Sequence, residues 1–309
     1  MKIIYMGTPE FAVPGLKAIA ESGHSVTLVV TGPDKPAGRG RSLCETPVKQ
    51  LALELDLPIT QPESLKDPGF INQVRHLDAD IIVVVAFQIL PNEIINAARL
   101  GAINLHASLL PKYRGAAPIN WALINGDKQT GITIFQIKPK VDTGDIILQQ
   151  TVEIADQETY GDLYTRLSRI GAPALVTVLD RLENGVAEAI PQDDSLVCKA
   201  PKIFPQMGEI NWSNSAESIK NQIHGLSPVP GAYAFLGKKR IKFLKARYSS
   251  EAFSETPATI VLRDNNRLGI QTGSGVLYPL ELQSEAKKAL PIHEFLRGFQ
   301  AKIGDRFQS

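Results

Sequence analysis

Cysteine is scarce in this sequence, which has 309 residues and contains only Cys44 and Cys198. The two cysteines do not form a CxxC motif, and no cluster of cysteine and histidine has the spacing of metal ligands. The sequence therefore indicates neither a disulfide framework nor a zinc site, and we expect no bound metal. The low cysteine content is typical of a protein of the reducing cytoplasm.

Long hydrophobic runs are also missing. No uninterrupted apolar segment approaches the roughly 20 residues that a membrane-spanning helix needs. The apolar start Met1–Met6 is interrupted by Gly7-Thr8-Pro9-Glu10, so it is too short for a signal peptide. The same turn lacks the second and third glycines of GxGxxG, and a dinucleotide site is not predicted there. We expect no membrane association and no nicotinamide cofactor.

The formal net charge is only +1, which excludes a protein that is strongly basic throughout. The charge is uneven, however. Residues 205–309 carry 14 Lys and Arg against 9 Asp and Glu, whereas the remaining residues carry 19 against 23. A basic second part predicts contact with a polyanion. Ordinary scatter among solvated charges is the alternative.

Short apolar, β-branched runs alternate with helical patterns in the first part of the chain. The predicted strands are Lys2–Met6, Ser25–Thr31, Asp80–Ala86, Gly101–His106, Gly131–Gln136 and Asp145–Thr151. The predicted helices are Pro9–Ser22, Thr46–Leu55, Pro68–His76, Asn92–Arg99 and a long one that starts with a capping box at Thr159 and Asp162. This alternation predicts an α/β fold with a mostly parallel sheet.

The pattern changes near residue 205. After a helix at Ala216–His224, short alternating runs separated by turn residues predict a small β-barrel. We therefore predict an α/β domain over residues 1–188, a linker over 189–204 and a β-barrel domain over 205–309.

Asn104 and His106 are the most informative residues. They lie two positions apart at the carboxyl end of a predicted strand, so their side chains project to the same side. An amide can stabilise an oxyanion, and an imidazole can transfer a proton near neutral pH. Asp142 lies in a polar turn and would favour the charged imidazole and fix its tautomer. The three predict an acyl-transfer site; Asp145 is the rival carboxylate, and a hydrogen-bonded core histidine is the structural alternative.

Two basic segments are candidates for binding phosphates. The long polar loop over residues 33–47 carries Lys35, Arg39 and Arg41. The second segment begins with Lys238, Lys239 and Arg240. Strict alternation along it places Leu244 and Ala246 on the same face as Arg240 and Lys242, so neither face is purely cationic.

At these residues the sequence resembles the folate-dependent formyltransferases. The segment Asn104–Trp121 carries the resemblance together with Val141–Gly144. The opening Gly7–Ala12, the loop Pro36–Gly40 and the segments Gly208–Trp212 and Ile223–Ala232 extend it over nearly the whole chain. All four segments resemble those of family members whose acceptor is a methionyl initiator tRNA, and the Arg39 loop and the C-terminal segments are the more specific ones. His224 stands where the family often has arginine.

The resemblance implies a Rossmann-like catalytic domain and a C-terminal OB-fold-like β-barrel that binds tRNA. It implies that Asn104, His106 and Asp142 are catalytic, and that the formyl donor is 10-formyltetrahydrofolate. The residues that it implies for folate binding are Ser108, Leu109, Leu110, Pro111, Phe87, Ile89 and Leu90. It implies that initiator methionyl-tRNA binds at Arg39, Arg41, Lys35, Lys238, Lys239 and Arg240. We expect a monomer.

Two other functions fit parts of the sequence. A formyltransferase acting on glycinamide ribonucleotide or an amino sugar would share the Asn104, His106 and Asp142 set. A bare glycinamide enzyme, however, would not need the barrel over residues 205–309 or the Arg39 loop. A non-catalytic RNA-binding protein would not need that set to be intact.

Overall fold

The computed structural model of the chain describes residues 1–37, 42–251 and 253–308. The chain forms two compact units. The first comprises Met1–Gly115, Gly131–Val152 and Tyr164–Lys199, and the second comprises Ala116–Thr130, Glu153–Leu163 and Ala200–Ser309. The second unit thus includes two segments from the first 188 residues. The predicted domain limits stay a prediction, because compactness alone does not test independent folding.

The elements are as follows. The strands are β1 (Lys2–Gly7), β2 (Ser25–Val30), β3 (Lys35–Ala37), β4 (Ser42–Cys44), β5 (Ile59–Thr60), β6 (Ile81–Val85), β7 (Ala102–His106), β8 (Arg114–Gly115), β9 (Gln129–Gln136), β10 (Ile146–Glu153), β11 (Lys199–Ala200), β12 (Ala232–Leu236), β13 (Lys239–Ser249), β14 (Ile260–Arg263), β15 (Leu268–Gln271), β16 (Val276–Ser284) and β17 (Ala289–Pro291). The helices are α1 (Val13–Ala20), α2 (Pro47–Glu54), α3 (Pro68–His76), α4 (Asn92–Ile95), α5 (Pro118–Ile124), α6 (Tyr160–Glu183), α7 (Ala216–Leu226) and α8 (Ile292–Phe295).

A seven-stranded sheet in the order β10-β9-β7-β6-β1-β2-β5 forms the centre of the first unit. The pairs β1/β2, β1/β6, β2/β5 and β6/β7 are parallel, and β7/β9 is antiparallel. All five residues of β6 are buried, as expected for a strand with both faces covered. The sequence prediction of a mostly parallel sheet is confirmed.

The second unit contains an antiparallel sheet in the order β12-β13-β16-β15-β14, with β17 paired to β16. The C-terminal segment 305–308 hydrogen-bonds to both edges of this sheet. Gln308 exchanges two backbone bonds with Phe235 of β12, and Ile260 at the start of β14 donates to the Asp305 carbonyl. The segment therefore closes the sheet into the predicted barrel. Phe307 lies in its core, with its ring 5.5 Å from Trp212 and 5.6 Å from Phe243.

Most predicted elements are present, with differences at their ends. The first predicted helix is α1, preceded by a 3-10 turn at Glu10–Ala12. The capping box of α6 is present, since Asp162 Oδ2 accepts from the Thr159 amide at 3.0 Å. The sequence analysis did not predict α5, whose seven residues are too few to show helical periodicity. None of the helices in the described residues is long and apolar enough to span a membrane.

Candidate active site

β7 carries Asn104 and His106 at the carboxyl edge of the first sheet. Asn104 pairs with Val84 of β6 on one side and with Phe135 of β9 on the other. His106 is the last residue of the strand, and only 7% of its surface is exposed. The position agrees with the rule that ligands of open α/β sheets lie beyond the carboxyl ends of the strands.

His106 contacts two loops. Its Nε2 lies 2.9 Å from the carbonyl oxygen of Tyr113, and its Nδ1 lies 3.9 Å from Oδ2 of Asp142. A carbonyl can only accept, so Nε2 must carry the proton that joins it to Tyr113. The Tyr113 carbonyl, and not Asp142 as predicted, therefore fixes the tautomer of the neutral ring, in which Nδ1 is the basic nitrogen and faces the Asp142 carboxylate.

The turn after β9 brings Asp142 beside His106, as predicted. The carboxylate also accepts a hydrogen bond of 2.8 Å from the amide of Gly115. The rival Asp145 points elsewhere, because its Oδ1 accepts from Nζ of Lys138 at 2.7 Å. Of the two aspartates, Asp142 is the one that can stabilise a charged His106.

Asn104 has a free side chain. The residue is half-buried, and within the described parts of the chain no protein group hydrogen-bonds to its amide. A half-buried amide without a protein partner is available to a bound carbonyl oxygen.

The segment Ser108–Pro111 has a defined internal structure. The Ser108 side chain is fully buried and donates to the Lys112 carbonyl at 2.7 Å, so its hydroxyl is not directed to a ligand. Thr133 Oγ1 donates to the Ser108 carbonyl at 2.6 Å, and Gln149 Nε2 donates to the Leu110 carbonyl at 2.7 Å. Leu110 is buried, whereas Leu109 and Pro111 are half-buried and can line a pocket.

The loop after β6 carries the other residues predicted for folate binding. Ile89 is exposed over 75% of its surface, which is unusual for an isoleucine and suits an apolar ligand. Leu90 belongs to the buried core of the first unit, and Phe87 packs partly against that core. Of the three, Ile89 is the most exposed, Phe87 is half-buried and can line a pocket as Leu109 and Pro111 can, and Leu90 is buried.

Three residues of these loops have left-handed backbones. They are Ala86 after β6 (φ 48°), Tyr113 after β7 (φ 62°) and Asp142 after β9 (φ 53°). Non-glycine residues rarely adopt this conformation, and it costs of the order of 1–3 kcal/mol at each position. Strain of this kind clusters at functional sites, and here it occurs in the loops that follow three neighbouring strands.

Sequence reasoning missed Gln192. Its Nε2 donates to the carbonyls of Asp142 at 2.9 Å and Gly144 at 2.8 Å, and its Oε1 accepts from Nη2 of Arg114 at 2.7 Å. It lies in the segment that the sequence analysis treated as a linker. A single glutamine among polar residues carries no periodic signal, so only the fold could reveal these contacts.

One cluster has the side chains of a metal site in the described chain. His24, Asp180 and Glu183 bring ligand atoms within 4.8 Å of one another. The amino group of Met1 lies among them, 2.9 Å from Glu183 and 3.3 Å from Nδ1 of His24. The cluster thus already holds an ammonium group, which offsets one of its two carboxylate charges, and it includes none of the residues around His106.

Basic residues predicted to bind tRNA occur in both units. Arg39 and Arg41 lie outside the described residues, and Lys35 is exposed on β3. Lys238 and Lys239 are exposed at the turn between β12 and β13. The Arg240 guanidinium stacks over Tyr233, 3.9 Å from the ring centroid.

The predicted alternation along β13 is wrong beyond Phe243. A β-bulge at Leu244 inserts one residue, so Phe243 pairs with Leu282 and Lys245 with the next residue, Glu281. The bulge turns Leu244 and Ala246 into the core. It leaves four of the five cations of this strand on the outward face: Arg240, Lys242, Lys245 and Arg247. The face is therefore more cationic than strict alternation predicted.

Comparison with known proteins agrees with this architecture. Residues 1–179 match the formyl transferase family model, and residues 202–300 match the model of the formyl transferase C-terminal domain. The chain is 43% identical over 305 residues to a methionyl-tRNA formyltransferase of Citrifermentans bemidjiense, covering 98% of this chain and 95% of that protein. It is 44% identical over 306 residues to one of Alkaliphilus oremlandii, covering 99% of both.

The fold is also similar to a solved structure, that of the sugar 3N-formyl transferase WlaRD. The TM-score is 0.67 at 19% identity, over 93% of this chain and 99% of that one. The full-length relatives and both family models lead to one conclusion: the chain belongs to the formyl transferase family and, within it, to the methionyl-tRNA formyltransferases.

Proposed function

We propose that the protein transfers the formyl group of 10-formyltetrahydrofolate to the amino group of methionyl initiator tRNA. The observation that carries this proposal is the 43–44% identity to methionyl-tRNA formyltransferases over nearly the whole chain. A folate donor is supported by WlaRD, whose structure was solved with 5-N-formyl-THF. It is supported in this chain by the free amide of Asn104 and the exposed Ile89.

The proposed chemistry uses three side chains at the edge of β7. The Asn104 amide orients the formyl group and donates to its oxygen when the attacking amine turns it into an oxyanion. His106 takes the proton of the amine on Nδ1, because Nε2 is bound to the Tyr113 carbonyl. Asp142, 3.9 Å away, stabilises the imidazolium. As the bond to the donor nitrogen of the folate breaks, that nitrogen takes up the proton that His106 accepted from the amine, and the imidazole returns to its neutral form.

The second unit is proposed to bind the tRNA. Support comes from the outward cations of β13 and from Lys238 and Lys239 at the adjoining turn. Cations spread along a strand suit a phosphate backbone. Lys35, Arg39 and Arg41 are proposed to contact the tRNA from the first unit.

An assay with 10-formyltetrahydrofolate tests this proposal directly. Charged initiator tRNA should be formylated, and charged elongator tRNA is the control. Asn104→Ala should lower turnover by roughly 10²–10³-fold, the usual effect of losing one oxyanion donor. His106→Ala and Asp142→Ala should be similarly impaired while circular dichroism shows folded protein.

Glycinamide ribonucleotide and an amino sugar are the alternative acceptors. Formylation of either one without formylation of charged tRNA would overturn the proposed acceptor. Near parental turnover in His106→Ala would overturn the catalytic assignment instead.

A further inference from the structure

We propose that Gln192 is a positioning residue that holds the Asp142 loop in its catalytic geometry. It lies between the end of α6 and β11, 50 residues after Asp142 in the sequence. The proposal rests on the catalytic role proposed for Asp142. It gives the segment 190–198 a function in catalysis rather than that of a passive linker.

The side-chain amide of Gln192 uses both of its N–H donors and accepts two hydrogen bonds at its oxygen. Nε2 makes two donations, to the carbonyls of Asp142 and Gly144, and Oε1 accepts twice from Arg114, from Nε at 3.0 Å and from Nη2 at 2.7 Å. A carbonyl can only accept and a guanidinium can only donate. The orientation of the amide is therefore fixed by its partners.

The Asp142 loop requires such support. Asp142 has a left-handed backbone, which is unfavourable for a residue other than glycine. At Gly144, a side chain is impossible without backbone movement, because a Cβ would overlap the Gln136 carbonyl. Bonds to the carbonyls at both ends of this turn hold it in the conformation that directs the carboxylate to His106.

Gln192 is itself held on both sides. Ile190 exchanges two backbone hydrogen bonds with Ile146, at 2.7 and 2.8 Å. On the other side the Arg114 amide donates to the Cys198 carbonyl at 3.0 Å. The Arg114 guanidinium also binds the exposed carboxylate of Asp194 at 2.7 Å. The segment thus connects the Asp142 turn to the loop that contains Tyr113, so it joins the two loops that contact His106.

Two substitutions separate the action on Asp142 from the contact with Arg114. Gln192→Leu removes all four bonds with little change in size. Gln192→Glu keeps the acceptor for Arg114, but it places a carboxylate against the carbonyls of Asp142 and Gly144. If Gln192 acts only by anchoring Arg114, Gln192→Glu should be as active as the parent.

The measurement is steady-state kinetics of the full-length protein with 10-formyltetrahydrofolate and charged initiator tRNA. We expect both variants to lower kcat by roughly 10- to 100-fold, the range for a small displacement of a catalytic group, while KM for each substrate stays nearly constant. Adding Gln192→Leu to Asp142→Ala should cost less than about 2-fold more, because one residue acts through the other.

Gln222→Leu is the matched control. Gln222 donates from Nε2 to two backbone carbonyls, those of Met207 at 2.9 Å and Glu209 at 3.0 Å, in the second unit. Its loss should leave kcat unchanged. Parental kcat in Gln192→Glu, or an undiminished effect of Gln192→Leu in the Asp142→Ala background, would overturn the proposal. Parental turnover in Asp142→Ala alone would instead overturn the role proposed for Asp142.

Discussion

The imidazole of His224 is buried beside like charges. Its Nε2 lies 2.9 Å from the Ala246 carbonyl, and only 2% of the residue is exposed. Burial lowers its pKa from 6.5 to about 4, and the nearby Lys220 and Lys245 act in the same direction against the hydrogen bond and Asp156. This position therefore holds a group that is neutral at physiological pH.

This pKa predicts a pH dependence of stability. Below pH 6.5 the unfolded chain binds a proton at this position that the folded chain does not bind until about pH 4. Stability should therefore fall as the pH decreases through that interval, by about 2 kcal/mol between pH 7 and pH 5. Urea unfolding followed by tryptophan fluorescence checks this, because both tryptophans, Trp121 and Trp212, belong to the second unit.

His224→Gln is the comparison, since it removes the titrating group. The variant should lose this part of the pH dependence and keep the part that arises from other groups. The same slope in both proteins would contradict the predicted pKa of His224.

Single residues could be predicted where the sequence pattern that marks them spans only a few neighbouring positions. Asn104 and His106 were predicted from a spacing of two on a strand, and the structure places Asp142 beside His106 as expected. Gln192 and Arg114 were not predicted together, because 78 residues separate them and no periodic pattern connects such a pair. Sequence patterns revealed the side chains at the edge of the sheet but not the contacts that hold them.

The C-terminal segment 305–308 is short, yet it joins the two edges of the barrel sheet. It closes the barrel with backbone bonds at both edges and contributes Phe307 to the aromatic cluster with Trp212 and Phe243. We predict that Phe307→Ala lowers the free energy of unfolding of the second unit by about 3–5 kcal/mol, because it leaves a cavity in a packed core. Urea denaturation monitored by circular dichroism measures the change.

Phe204→Ala is a suitable control, because Phe204 is 53% exposed in the same unit. It should change stability by less than about 0.5 kcal/mol. An equal, small effect of both substitutions would mean that the closing segment does not stabilise the barrel.

Strand patterns were predicted more readily than their interruptions. The alternating runs identified β12 to β16, yet the bulge at Leu244 was missed. The adjacent apolar residues Phe243 and Leu244 interrupt the alternation, but such an interruption does not by itself show which strand of a pair carries the extra residue. The closing segment was also missed, since Asp305–Gln308 is too short and too polar to show strand periodicity. Both features depend on pairing across the sheet rather than on local sequence.

At the scale of the whole molecule, the salt dependence of affinity should distinguish the proposed binding of tRNA from that of folate. Phosphate contacts release counterions, so the affinity for tRNA should fall steeply with salt while the affinity for folate changes less. We predict that replacing Lys238 and Lys239 by Ala lowers the slope of log affinity against log salt by about 1.5, close to 0.7–0.9 for each lost contact. Filter binding across a salt series provides the slope.

The matched control replaces Lys287 and Lys288, an exposed pair at the turn between β16 and β17 of the same barrel. It removes the same charge and should change the slope less. If both pairs have equal effects, tRNA senses only the total charge, and the turn between β12 and β13 is not a specific contact.

The second unit contains segments from the first part of the chain, so the ribosome makes these segments before the rest of their unit. Asn120 in α5 donates to the Gly225 carbonyl, 105 residues later, and α5 packs against α7 in the second unit. At roughly 5–20 residues per second, a ribosome makes α5 about 5–20 seconds before its partner. During that time the side chain of Ile124, which lies against Gly225 of α7 in the finished protein, lacks this partner. A chain released early, near Ala200, would never cover this face of the helix, and we expect such fragments to be substrates for proteases and chaperones.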